Sequence, residues 1–369
     1  MANQPGAISF AGGMPDATLF PRARIAEAHR FVLDDEGRAR RAMQYVASEG
    51  DVDLRAAIVA RMCRAGVPCE LENVVVVNGA QQAISLLGEL LLNPSDLVLS
   101  ARPTYPGALQ AFSLRGVAYA SLPEGGAWPD AKIAYVMPDF ANPTGFTMPM
   151  ERRLEMIAAA RAAGTLIIED AAYCGLYYEA PPPSSLAALA AAQGGVEASP
   201  VAYCGTFSKT ISPGLRLGWI VAPRVIIRQV VLLKQALDLQ ANSISQAALA
   251  AAMPYLDEAY YTDLRAIYRR RRDAMLEALA ELMPAGVSWR PPEGGLFIWL
   301  ELPEGVDADA VLADAIATEK LSFVPSSACY PDQPRRNALR LSFSLYSEAV
   351  IREGVERLAR AVSRACAAI

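Results

Sequence analysis

Short apolar runs alternate with helical periodicity through the middle of the chain. Val74-Val75-Val76-Val77 contains no polar position, as expected of a strand buried on both faces, and residues 80–92 carry apolar side chains at helical spacing. Leu97-Val98-Leu99-Ser100 precedes a helical stretch over 105–114, and Lys132-Ile133-Ala134-Tyr135-Val136 is a further strand. Residues 154–163 are helical; Leu166-Ile167-Ile168-Glu169, Val201-Ala202-Tyr203-Cys204 and Trp219-Ile220-Val221 complete the series. Such alternation predicts an α/β fold, a mostly parallel sheet covered by helices on both faces. Functional side chains then belong in loops at the carboxyl ends of strands. Asn78, Asp139, Asp170 and Thr206 each follow an apolar run in that way.

The pattern changes from residue 285. Leu296-Phe297-Ile298-Trp299-Leu300 is a strand, a helix follows over 308–318, Phe323-Val324 and Leu339-Arg340-Leu341-Ser342 are strands, and a helix over 348–366 closes the chain. This is the signature of a smaller α+β unit. A long helical pattern over 255–282 links the two, and 180–200 is a Pro/Gly/Ala-rich surface excursion with a short helix. The expected division is 40–265 for the large domain, with 1–39 and 266–369 forming the small one from both termini. There is no internal repeat.

Composition narrows the chemistry. The 369 residues suit one large domain or two, and 53% hydrophobic residues suffice for a sizeable core. A net charge of −5 argues against nucleic acid or an anionic membrane as partner. The six cysteines include no CxxC pair, which points to reduced thiols and a cytoplasmic protein. The first residues show no signal-peptide pattern, and the most apolar stretch, 220–233, is interrupted by Arg224 and Arg228. His29 is the single histidine, so a multi-histidine zinc site is impossible and no metal is expected. Catalysis then falls to a lysine, a carboxylate or an organic cofactor.

The run Gly205-Thr206-Phe207-Ser208-Lys209-Thr210-Ile211-Ser212-Pro213-Gly214-Leu215-Arg216 is the most informative. It sets one lysine just beyond an apolar strand, between two alternating hydroxyls and an arginine. Read alone, it could be a strand followed by a solvated turn. A lysine able to form a Schiff base beside phosphate ligands suggests a phosphorylated aldehyde cofactor, pyridoxal 5'-phosphate (PLP). Asp170-Ala171-Ala172-Tyr173 places a carboxylate and a phenol where they could serve a pyridine nitrogen and a ring oxygen. Asn142-Pro143-Thr144-Gly145 is a turn whose amide could reach that oxygen. Asn78-Gly79-Ala80-Gln81-Gln82 opens a helix suited to a phosphate, and Tyr105 could stack on a ring.

In this order the motifs resemble the fold-type I PLP enzymes of the class I/II aminotransferase superfamily, and within them the 2-aminoadipate/kynurenine aminotransferase and MocR-type group. The likeness extends from Phe10-Ala11-Gly12-Gly13 and Gln44-Tyr45-Val46 through Pro103-Thr104-Tyr105 to Pro292-Glu293-Gly294-Gly295 and Leu339-Arg340-Leu341-Ser342. It implies a seven-stranded large domain with a smaller α+β domain. Its implied activity is ping-pong transfer of an amino group between an L-amino acid and a 2-oxo acid. Lys209 would be the Schiff-base lysine and proton shuttle, with Asp170 and Tyr105 beside it in catalysis. Gly79, Ala80, Gln81, Thr206, Ser208 and Arg216 would cup the phosphate; Asn142 and Tyr173 would bind the ring oxygen. Arg340, Asn142 and Gly13 would hold the substrate, Arg340 by its α-carboxylate. Tyr45 would reach the phosphate in a neighbouring subunit of a homodimer with shared sites.

Several positions depart from the family's pattern. The chain starts almost at Phe10-Ala11-Gly12-Gly13, so a substrate-covering N-terminal segment is not expected. The helix usual before Ile133 is reduced to Pro123-Glu124-Gly125-Gly126-Ala127-Trp128-Pro129-Asp130. Ala141 replaces a frequent glutamine, and the loop after Pro325 reads Ser326-Ser327-Ala328-Cys329-Tyr330. These changes leave the substrate unnamed. β-Elimination or decarboxylation on the same scaffold, and a MocR-like ligand-sensing role, are the alternatives.

Overall fold

The computed structural model describes residues 5–367. Its centre is a seven-stranded sheet in the order Val74–Val77, Gly218–Val221, Val201–Thr206, Leu166–Asp170, Ile133–Val136, Leu97–Ser100, Ala118–Ser121. All pairings are parallel except those of Gly218–Val221, which runs antiparallel to both neighbours. The connection 207–217 is too short for a helical crossover, so the chain can only return antiparallel. It therefore holds Lys209 and Arg216 at the same sheet end as Asp170.

Val74–Val77 is fully buried, as its uninterrupted apolar run demands. The helix Ala80–Leu91 turns Ala83, Ile84 and Leu87 onto the sheet. Helix Arg22–Leu33 lies against Ser243–Ala252, and Ala28 shares the hydrophobic core of Val74, Val76 and Ala248. The crossover before Ile133–Val136 carries no helix; Trp128 is buried there instead.

A second sheet of four antiparallel strands runs Val324–Pro325, Ala338–Ser342, Phe297–Glu301, Ser288–Trp289. It is backed by Glu348–Ala367, which packs on the long helix Glu258–Leu282. Ile8–Ser9 pairs in parallel with Leu321–Ser322 and leads the chain from there to Gly13.

Some element ends differ from the periodicity. The expected strand at Phe323-Val324 is two short strands, because the chain passes there from the pairing with Ile8–Ser9 to the four-stranded sheet, with Phe323 buried between. The helix from Ala308 is α only to Asp314 and widens into a π turn over Ala315–Glu319. The long helix starts at Glu258, where the Asp257 side chain accepts from the Tyr260 N–H, rather than at residue 255. The helix expected over 154–163 starts earlier, at Met150 behind Pro149. Among the described residues no helix is long and apolar enough to cross a membrane.

Candidate active site

The carboxyl ends of the central strands open into a cavity of about 330 Å³, closed on its far side by the second sheet. Lys209, Asp170, Asn142, Tyr173, Tyr105, Ala80, Gln81, Thr206, Ser208, Arg216, Arg340 and Gly13 all line it. Segments from seven parts of the chain thus converge on one volume.

Asp170 ends its strand with the side chain buried. Oδ2 accepts from the Tyr135 hydroxyl at 2.8 Å and Oδ1 from the Ala172 N–H at 3.2 Å. Burial pushes the carboxyl up to about 6, while the Tyr135 and Ala172 hydrogen bonds and the Lys209 charge hold it down. It remains largely ionised at neutral pH. Lys209 Nζ donates to the Gly13 carbonyl at 2.9 Å. Burial lowers its amine to about 8; Asp170 opposes that fall, and the Arg340 and Arg216 charges add to it. At pH 7 roughly one lysine in ten is neutral, enough to supply a nucleophile.

The end of the cavity that could hold an anion is built largely from the backbone. Gly79 caps the helix Ala80–Leu91 at φ +81° with no side chain capping the helix start, and its first two residues, Ala80 and Gln81, line the cavity. A Cβ at Gly79 would lie 2.9 Å from Arg216 Nη2. Arg216, itself at φ +51°, donates from Nη2 to the Asn78 carbonyl at 2.9 Å. Thr206 Oγ1 accepts from the Ser208 N–H at 3.1 Å and donates to Ser208 Oγ at 3.0 Å. Beneath, fully buried Lys234 pairs with Asp238 at 2.8 Å, and Asp238 Oδ2 accepts from Asn78 Nδ2 at 2.6 Å and Gln82 Nε2 at 2.7 Å. That network holds the strand-to-helix turn. Hydroxyls, a helix N-terminus and a guanidinium together could hold an anion.

Arg340 reaches in from the second sheet. Nη1 donates to Asn142 Oδ1 at 2.7 Å, Nη2 donates to the Ala11 carbonyl, and Nε is buried without a partner. Its guanidinium lies over the Phe297 ring at 4.2 Å, and that ring meets Tyr173 edge-on at 5.6 Å. Gly13 passes so near that a Cβ would stand 2.5 Å from Phe297 Cζ. Tyr105 caps the helix Pro106–Ser113 and donates from its hydroxyl to Gln81 Oε1 at 3.2 Å.

Tyr45 is not part of this cavity; it is 76% exposed. His29 is accounted for by its helix, with Nδ1 2.7 Å from the Ile25 carbonyl oxygen. Among the described residues no group of three or more His, Cys, Asp or Glu could hold a metal. Tyr135, Phe297 and the Lys234–Asp238 pair are not legible in the sequence as site residues. Only the i,i+4 spacing of Lys234 and Asp238 offers a signal, and that is ordinary on a helix surface.

Residues 7–128 and 130–358 match the family described as aminotransferase class I and II. The chain is 36% identical, over 96% of its length and 88% of that protein, to aromatic-amino-acid aminotransferase 1 of Thermococcus litoralis. The crystal structure of the multiple substrate aminotransferase from Thermococcus profundus superposes with TM-score 0.91 at 35% identity, covering 100% of this chain and 94% of that one. That of LysN, the α-aminoadipate aminotransferase of Thermus thermophilus, in complex with N-(5'-phosphopyridoxyl)-L-leucine, gives 0.90 at 33% identity, over 99% of this chain and 94% of that one.

Proposed function

Because the chain belongs to the class I and II aminotransferases, we propose that this cavity holds PLP on Lys209 and moves an amino group between an L-amino acid and a 2-oxo acid. The observation that carries the reading is a half-buried lysine with a depressed pKa that shares one cavity with an ionised buried carboxylate, an anion cup and a second guanidinium. The residues fit the cofactor chemically. Asp170 is a buried acceptor for a protonated pyridine nitrogen. The Ala80 and Gln81 N–H groups with Thr206, Ser208 and Arg216 suit a phosphate; Asn142 and Tyr173 suit the ring oxygen, and Tyr105 its face.

When bound, PLP supplies an electron sink for cleavage of the Cα–H bond. The protein's own groups do the rest. The negative charge of Asp170 keeps the electron-withdrawing nitrogen protonated. Lys209 Nζ would be the group that holds the cofactor's aldehyde carbon, and as a neutral amine it would carry the proton between the substrate Cα and that carbon, across the intervening nitrogen. Arg340 receives the substrate carboxylate through N–H groups not used on Asn142 and Ala11, its unpartnered Nε among them. Asn142 keeps that guanidinium aimed. The site is read as one of two in a homodimer, with Tyr45 presented to the neighbouring subunit. Borohydride reduction of the PLP-loaded protein and peptide mapping test the assignment. The pyridoxyl group is expected on Lys209, and its appearance on Lys234 or Lys320 refutes the site. A screen of amino donors followed by absorbance tests the reaction.

A further inference from the structure

A second cavity of about 600 Å³ adjoins the first, and the two share Met137 and Asn142 as their common wall. A single strand floors both. On Phe297–Glu301, Ile298 and Leu300 face the core, while Phe297, Trp299 and Glu301 face the cavities. Phe297 carries the Arg340 guanidinium, and Trp299 stands directly opposite Arg340 in the antiparallel register. The floor thus leads from Phe297, under the Arg340 guanidinium, to Glu301, roughly 13 Å along the strand at about 3.3 Å per residue.

The walls of this chamber are flat and apolar, made chiefly by Trp299, Trp289, Tyr330, Met137 and Met148. Its rim is cationic. Arg335 is committed to Glu301 at 3.0 Å, and Arg102 to Asp332. Arg290 lines the same chamber, is exposed, and has no carboxylate partner among the described residues. At the inner end the wall beside Asn142 is Ala141, whose backbone is pinned by the Ala141 N–H to Phe146 carbonyl bond at 2.9 Å. A methyl group there leaves volume in the chamber that a longer side chain would fill.

We propose that this chamber receives the far end of the substrate, and that the amino acid or 2-oxo acid has a flat apolar body ending in a second anionic group that pairs with Arg290. A planar guanidinium suits a carboxylate or phosphate, and aromatic walls suit a ring. The proposal rests on the aminotransferase reading of the adjoining site.

The test uses PLP-loaded protein and three donors: L-alanine, L-phenylalanine and 4-carboxy-L-phenylalanine. The first half-reaction is followed by absorbance under excess donor. The apparent second-order rate constant for 4-carboxy-L-phenylalanine is expected to exceed that for L-phenylalanine at least tenfold. In Arg290→Glu that ratio should fall by at least tenfold. In Ala141→Gln both aromatic donors should lose at least tenfold relative to L-alanine. Equal rate constants in the wild type, or a ratio unmoved by Arg290→Glu, overturn the proposal. If no donor is converted, the aminotransferase reading fails by itself, and the chamber is then judged by binding. Two of the four tryptophans line it. A saturable change in indole fluorescence with 4-carboxy-L-phenylalanine, lost in Arg290→Glu, upholds the chamber; no such change overturns it.

Discussion

Replacing Asp170 by asparagine should stabilise the cofactor-free protein while disabling it. Burial raises the carboxyl from 3.8 to about 6, so keeping it charged at neutral pH costs about 3 kcal/mol of folding stability. The sign follows from the direction. Between about pH 4 and 6 the folded state holds a proton that the unfolded chain has lost, so stability falls as pH rises through that window. An amide in the same place has no such titration. Its N–H can donate to the Tyr135 hydroxyl, which accepts as readily as it donates, and its oxygen can still accept from the Ala172 N–H. Allowing for the amide's own desolvation, the variant should gain about 1–3 kcal/mol above pH 6.5 and little near pH 4. Urea unfolding of both cofactor-free proteins from pH 4 to 7.5 measures the difference directly. Loading with PLP should reverse the order, since only the carboxylate gains a charged partner. A difference that stays flat with pH, or a wild type more stable at pH 7, would mean that Asp170 is not a buried charge.

Gly79→Ala would force a left-handed residue to carry a Cβ 2.9 Å from Arg216 Nη2; PLP affinity of the apoprotein, measured by titration, should fall at least tenfold, and unchanged affinity would place the phosphate elsewhere. Arg340→Ala removes two charge-assisted hydrogen bonds to the substrate, each about 1.5–3 kcal/mol, so kcat/KM for amino donors should drop roughly 10²- to 10⁴-fold while PLP stays bound. Arg340→Lys should recover only part of that loss, because an ammonium lacks the fork; unchanged kinetics in Arg340→Ala would show that the carboxylate is held by another group. Mixing Lys209→Ala with Tyr45→Phe protein should restore activity in heterodimers, since one of the two sites then carries neither change; verified heterodimers without recovery would argue against sharing.

Residues whose role depends on the local path of the chain are legible in the sequence alone. Asp170, Asn142, Lys209 and Gly79 all sit where an apolar run stops, and in a sheet of parallel strands such ends meet at one edge. The hydroxyl alternation at Thr206 and Ser208 survives as a hydrogen-bonded pair. Helix starts are less sharply marked, because a proline or an aspartate cap can move them by several residues, as at Met150 and Glu258.

The class of fold, the sheet edge that bears the chemistry and the strand-end groups that meet there follow from the order of residues, because periodicity and strand-end position are local properties of a chain. What those groups are worth was set by packing in three dimensions. Packing buried Asp170 and set the Tyr135 hydroxyl on it, moved the Lys209 amine toward neutrality, and seated Lys234 and Asp238 under the Asn78 turn. It also laid Phe297, Trp299 and Glu301 along one strand face, joining the site to the neighbouring chamber. Desolvation and contact between distant segments depend on how the whole chain packs, and no spacing along the sequence carries them.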